Sequence, residues 1–199
     1  MTEYVELPVG TFDVRVIAAT ETTCATGAVP DTRDITVTPN LRATVAALGV
    51  VNRTGQASAN PAFALGVYVD DETVAAGKAK LRFVHASPGT PNVDVGLGSG
   101  HGFTSLFRNV EFGAVAKHAG IDTRGYLETN PLTSSVSARL ANATTDALTI
   151  HNIALAAGQV VTAFAIGNKT GQAANPLRVL FCVDNARPAS LLANCVVRP

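Results

Sequence analysis

Apolar and polar residues alternate along much of this chain with a period of two. Phe12-Asp13-Val14-Arg15-Val16 puts its apolar side chains on one side and its charges on the other, and Asp34-Ile35-Thr36-Val37-Thr38 does the same. Val93-Asp94-Val95 and Ser135-Val136-Ser137-Ala138-Arg139-Leu140 follow this rule, and Leu81-Arg82-Phe83-Val84 comes close to it. Successive side chains of a strand point to opposite faces, so this period predicts strands with one wet and one dry face. Val160-Val161-Thr162-Ala163-Phe164-Ala165-Ile166 is a continuous apolar run, the pattern of a strand covered on both faces. Turn formers punctuate the runs at Pro8 and Gly10, Pro30 and Asp31, Pro39 and Asn40, Gly96 to Gly102, and Gly158. Evidence for helix is thin, since Leu41 to Leu48 suits one helical turn or a strand equally. Many short strands with turns between them predict an all-β chain, a sandwich or a barrel.

A second pattern overlies the first. Asn52-Arg53-Thr54-Gly55-Gln56-Ala57-Ser58-Ala59-Asn60-Pro61 matches Asn168-Lys169-Thr170-Gly171-Gln172-Ala173-Ala174-Asn175-Pro176 with one residue deleted. The flanks match as well. Thr44 to Gly49 pairs with Thr162 to Gly167, Val67 to Asp71 with Phe181 to Asn185, and Tyr4-Val5-Glu6 with Tyr126-Leu127-Glu128. The chain therefore reads as two related units, each with a polar loop in which the glycine eases a turn and the proline starts the next strand. Leu81 to Gly125 precede Tyr126, whereas only Met1 to Glu3 precede Tyr4. The expected organisation is a partial unit over 1–77, a complete unit over 78–188 and a tail over 189–199. A partial sandwich exposes sheet edges and an apolar face, so something must cover it. A neighbouring chain could supply the cover by strand addition, with a tail such as Ser190 to Val197 as donor. A start point upstream of Met1 is the competing explanation.

Composition narrows the function classes. The 199 residues carry 15 Lys+Arg and 15 Asp+Glu, for a net charge of zero, and charged residues are 15% of the chain. A nucleic-acid binder needs a basic surplus that is absent here. Disorder and coiled coil are excluded by a hydrophobic fraction of 47% and by scarce charge. No apolar run is long enough for a transmembrane helix, so no transmembrane segment is expected. Met1-Thr2-Glu3-Tyr4 has neither a basic region nor an apolar core, so it is not a signal peptide; a cytosolic protein and a mature secreted one would both begin this way. The cysteines are Cys24, Cys182 and Cys195, without a C-x-x-C pair. Cys182 and Cys195 flank a short loop containing Pro188. They can close a disulfide in an oxidising compartment and remain two thiols in a reducing one.

Leu81-Arg82-Phe83-Val84-His85-Ala86-Ser87-Pro88, followed by Pro91-Asn92-Val93-Asp94-Val95, resembles the opening of the domain of unknown function 4397 family. Asn109-Val110-Glu111-Phe112-Gly113 and Tyr126 resemble its middle strands, and Leu155 to Gly167 its closing ones. The resemblance covers 79–186 as a full unit and 4–72 as the later part of one. It implies immunoglobulin-like or transthyretin-like antiparallel β-sandwich units in tandem, the first incomplete. It also implies a secreted or cell-envelope protein, commonly bacterial, and no enzymatic activity.

His85 sits at the end of an apolar strand face, and a core histidine bonded to its own turn at Ser87 and Pro88 outweighs a metal ligand. His101, His118 and His151 lack ligand spacing. Asp70-Asp71-Glu72 could attract Ca²⁺, but a solvated strand end is the simpler reading, because the second copy keeps only Asp184. Gly96 to Gly102 lacks both the G-x-G-x-x-G spacing and a following Lys-Ser/Thr, so it reads as a flexible hairpin loop. Asn52, Asn142 and Asn168 begin N-x-S/T sequons, which suits exposed loops. No nucleophile elbow or carboxylate pair is visible, so no catalytic residue, metal or cofactor is expected. The expected role is a secreted or cell-surface structural or interaction module, a self-assembling fibre subunit in its sharpest form, whose partners are its own copies or neighbouring surface domains. A carbohydrate- or peptide-binding module is the alternative. It has little aromatic platform to draw on, with no Trp, three Tyr and eight Phe.

Overall fold

The computed structural model describes residues 5–17, 20–23, 29–50, 61–168, 175–185 and 195–199, with side chains omitted over 29–34. The chain is all-β, and no α-helix occurs among the described residues. It divides into two compact units, Tyr4–Asp70 and Asp71–Pro199.

The first unit holds two antiparallel ribbons. β1 (Gly10–Val16) pairs with β2 (Val29–Val37), and β3 (Ala43–Leu48) pairs with β4 (Ala64–Val69). The stretch that suited helix or strand equally, Leu41 to Leu48, is thus largely β3. Its ladder is regular, with Val45 opposite Val67 and Ala43 opposite Val69.

The second unit is a β-sandwich. One sheet has the order β10 (Asp146–Leu155), β9 (Leu132–Leu140), β6 (Val93–Leu97), β7 (Thr104–Val110). The other has the order β13 (Cys195–Arg198), β12 (Arg178–Val183), β11 (Val160–Ile166), β5 (Ala79–His85), β8 (Tyr126–Thr129). Phe83 of β5, Val93 and Val95 of β6, Phe107 of β7, and Ala163 and Ala165 of β11 meet in the core. Each large apolar side chain so buried stabilises the fold by roughly 1.5–3 kcal/mol. Alternation sends Arg82 and Thr162 to the opposite face of their sheet, and both are also buried. That explains the near-continuous apolar run at 160–166.

Two findings depart from the expected plan. β5 and β11 run parallel, from Val160 opposite Lys80 to Ala165 opposite His85, so this sheet is mixed and not wholly antiparallel. Residues 195–198, expected within a tail, form an antiparallel strand on β12 of their own chain. A segment already hydrogen-bonded there is not a free donor strand; residues 190–194 lie outside the described residues. No described helix is long and apolar enough to cross a membrane.

Candidate functional site

The H-A-S-P segment ends β5 and enters a tight turn. Pro88 presets the first corner, Gly89 takes a φ of 73° at the second, and Thr90 N–H returns to Ser87 O at 3.4 Å. His85 is fully buried. Its Nδ1 accepts the Ser87 N–H at 3.3 Å, and its Nε2 lies 3.2 Å from Thr90 O and 3.1 Å from Pro91 O. These partners assign the neutral ring with the proton on Nε2. Burial pushes the imidazole below its ordinary range, although the Pro91 and Thr90 carbonyls favour the proton. Ser87 Oγ donates to Gly167 O at 2.7 Å and accepts from Thr90 Oγ1 at 2.7 Å. His85, Ser87 and Pro88 therefore hold a turn together, and both ring nitrogens are occupied in doing so.

Cys182 and Cys195 face each other across β12 and β13 and are joined by a disulfide, with their Cα atoms 4.1 Å apart. Cys24 lies outside the described residues.

Of the repeat-loop residues, Pro61, Asn168 and Pro176 are described, whereas Asn52, Gly55 and Gly171 fall outside the described residues. The two loops leave their strands in the same way. Val50 N–H donates to Pro61 O at 3.1 Å, and Asn168 N–H donates to Asn175 O at 3.0 Å. Pro61 thus occupies the place of Asn175, not that of Pro176, because bridge register and not residue identity fixes the alignment. Gly49 and Gly167 precede these bridges, each with φ of 83°. A Cβ would lie 2.2 Å from Ala62 O at the first and 2.0 Å from Pro176 O at the second, so neither site accepts a side chain.

The acidic cluster is dispersed into separate bonds. Thr44 Oγ1 donates to Asp70 at 2.8 Å. Asp71 takes the Lys80 ammonium at 2.7 Å and both the N–H and hydroxyl of Thr73. Burial alone would raise its carboxyl; Lys80 and Thr73 outweigh that and bring it down to about 2. Among the described residues no three His, Cys, Asp or Glu side chains come together as a metal site requires. The loop at 96–102 is tied down: Gly100 N–H donates to Asp146 at 2.7 Å, and Arg139 Nε donates to the same carboxylate at 2.6 Å.

Two features went unread in the sequence. Arg82, fully buried, donates to Thr162 Oγ1 at 2.9 Å, and its guanidinium lies 4.5 Å from the centre of the Tyr126 ring. Tyr126 and Thr162 both donate to Asp184, at 2.7 and 2.6 Å. Burial, then the Asp184 charge, pushes the Tyr126 phenol far up. The legible signal was the recurrence of Thr44 with Asp70 and Thr162 with Asp184 at matched positions.

The second feature is an uncovered face. Val45 on β3 and Val67 and Val69 on β4 share one side of their ribbon and are 44%, 40% and 38% exposed. Their counterparts in the sandwich point into or against the core, with Ala163 only 6% exposed and Phe181 packed beside it. The outer edge of β11 is occupied by β5, but β3 pairs with β4 alone among the described residues. This ribbon face and edge form the candidate interaction surface.

Comparison with protein families bears on the same segment. Residues 1–96 match the family described as Domain of unknown function (DUF4397). This stretch is similar to that family. The DUF4397 match runs through β1 to β5 and into β6, so it includes both the uncovered ribbon and the H-A-S-P turn. No curated protein and no solved structure matches the chain.

Proposed function

We propose that this protein is a non-enzymatic structural or interaction module of the cell exterior, built from two related β-units. Its first unit joins it to further copies of itself through the exposed face of β3 and β4. The observation that carries this reading is the outward apolar face of Val45, Val67 and Val69, whose counterparts in the sandwich are core. Contiguous apolar surface beside a strand edge that is unpaired among the described residues is costly in water and invites strand addition. A strand from a neighbouring copy beside β3 would supply what β5 supplies to β11. Contacts of this head-to-tail kind grow into a fibre when their rotation does not close a ring. The disulfide supports an oxidising compartment. The neutral His85, with both nitrogens engaged, supports a role without catalysis.

Light scattering after size-exclusion chromatography tests this reading. The expected result is a mass that rises with concentration, and a monomeric mass for the double variant Val45→Lys, Val67→Lys with its β-sheet circular dichroism retained. A wild-type chain that stays monomeric at its highest soluble concentration would overturn the proposal.

A further inference from the structure

The sandwich of residues 71–199 is filled unevenly. Toward the H-A-S-P turn, Phe83 and Phe107 are both buried, with ring centres 6.1 Å apart. Toward the opposite end, where β8 passes to β9 and β10 turns into β11, the two sheets part around a cleft of about 260 Å³ that is partly open to solvent. Leu81, Leu127, Val161 and Phe181 line it from the five-stranded sheet. Leu97, Leu106, Val136 and Ile153 line it from the other. An apolar cavity of about 150 Å³ already admits a small hydrocarbon, so this space is large enough for a ligand. At roughly 30 Å³ for a water-sized group, its volume matches on the order of eight such groups.

The polar lining is confined to a few residues: Thr129, Asn152, Gln159 and Arg198. Arg198 is the one charged residue among those that line the cleft, and no carboxylate does. It is exposed, its backbone pairs with Val179, and its side chain makes no ion pair or hydrogen bond among the described residues. An aliphatic slot with a single cation at a solvent-exposed position is complementary to an amphiphile of opposite charge. A buried anion would be strongly disfavoured, so the head group must stay at the wet rim.

We propose that this cleft binds one unbranched aliphatic chain ending in a carboxylate, with the chain between the sheets and the head group at Arg198. The site is separate from the ribbon face and does not depend on self-association. The test uses the full chain with hexanoate, octanoate and decanoate, followed by methyl chemical shifts of Leu81, Val161 and Ile153 and by calorimetry. Saturable binding of one chain per protein is expected, with affinity rising about fourfold for each added methylene until the slot is full. Arg198→Glu should weaken decanoate by roughly tenfold or more while leaving decanol unchanged. A thermal melt of that variant, substituted at an exposed position, checks that it remains folded. Absence of saturable shifts at these methyls in the wild-type chain would overturn the proposal, as would a decanoate affinity indifferent to chain length or to Arg198→Glu.

Discussion

His85 shows how one side chain can fix a whole turn. Its ring engages the backbone of three residues between 87 and 91. Removing it leaves buried carbonyls and an N–H without partners, at about 1–3 kcal/mol for each group so stranded. Because burial holds the folded imidazole below its ordinary value of 6.5, the unfolded chain takes up a proton first as pH falls. Stability is therefore complete above that value and declines as pH drops below it. Denaturant titrations should give a lower midpoint at pH 5 than at pH 7. His85→Gln should be less stable at pH 7 and should lose much of that difference; equal pH dependence in both proteins would refute the assignment. The Asp71 carboxyl has the same sign of linkage but acts only in strong acid, between its ordinary value of 3.8 and about 2. That His85 bonds its own turn was legible in the sequence, since a lone histidine on an apolar strand face beside Ser87 and Pro88 needs satisfying locally. The Arg82 network was not, because alternation marks Arg82 as outward-facing and says nothing of what covers that face.

At the scale of elements, the strands that could be read were those whose alternation is unbroken, such as β1 and β6. β10 was missed because its register shifts between Ile150 and Ile153, with Asn152 at φ of 58°, and a bulge resets the two-residue period. The parallel union of β5 and β11 was invisible for a different reason: pairing partners far apart in sequence leave no mark on local periodicity. β13 was read as tail because four residues carry too little pattern. Its attachment rests on four opposed residue pairs and on the Cys182–Cys195 disulfide, which spans a sequence separation of 13. Closing a loop of about that length limits the unfolded chain and stabilises the fold by roughly 3 kcal/mol. Reduction, or Cys182→Ser with Cys195→Ser, should lower stability by about that amount. Amide exchange should then show β13 released while β5 and β11 stay protected. Unchanged protection at Val196 and Val197 after reduction would mean that strand pairing alone holds β13.

For the whole molecule, the two units should differ in their ability to fold alone. Residues 71–199 close two sheets of four and five strands around a core that includes Phe83, Phe107 and Val110, each almost wholly buried. The described residues of 4–70 form two ribbons of two strands each, and a two-stranded ribbon is marginal in water. Few described residues of that unit are fully buried, Leu48 and Tyr68 among them, while Val45, Val67 and Val69 face outward. The scarce charge of the chain sharpens this contrast, since little on the exposed ribbon face resists association. A fragment of residues 71–199 should therefore unfold cooperatively with a dispersed amide spectrum. A fragment of residues 1–70 should be unfolded when dilute and should aggregate or assemble when concentrated. Cooperative unfolding of the shorter fragment as a monomer would show that its ribbons close a core of their own, and the uncovered face would then be no gap to be filled. If instead the shorter fragment gains structure only as its concentration rises, other copies are pairing with β3, as β5 pairs with β11 within one chain.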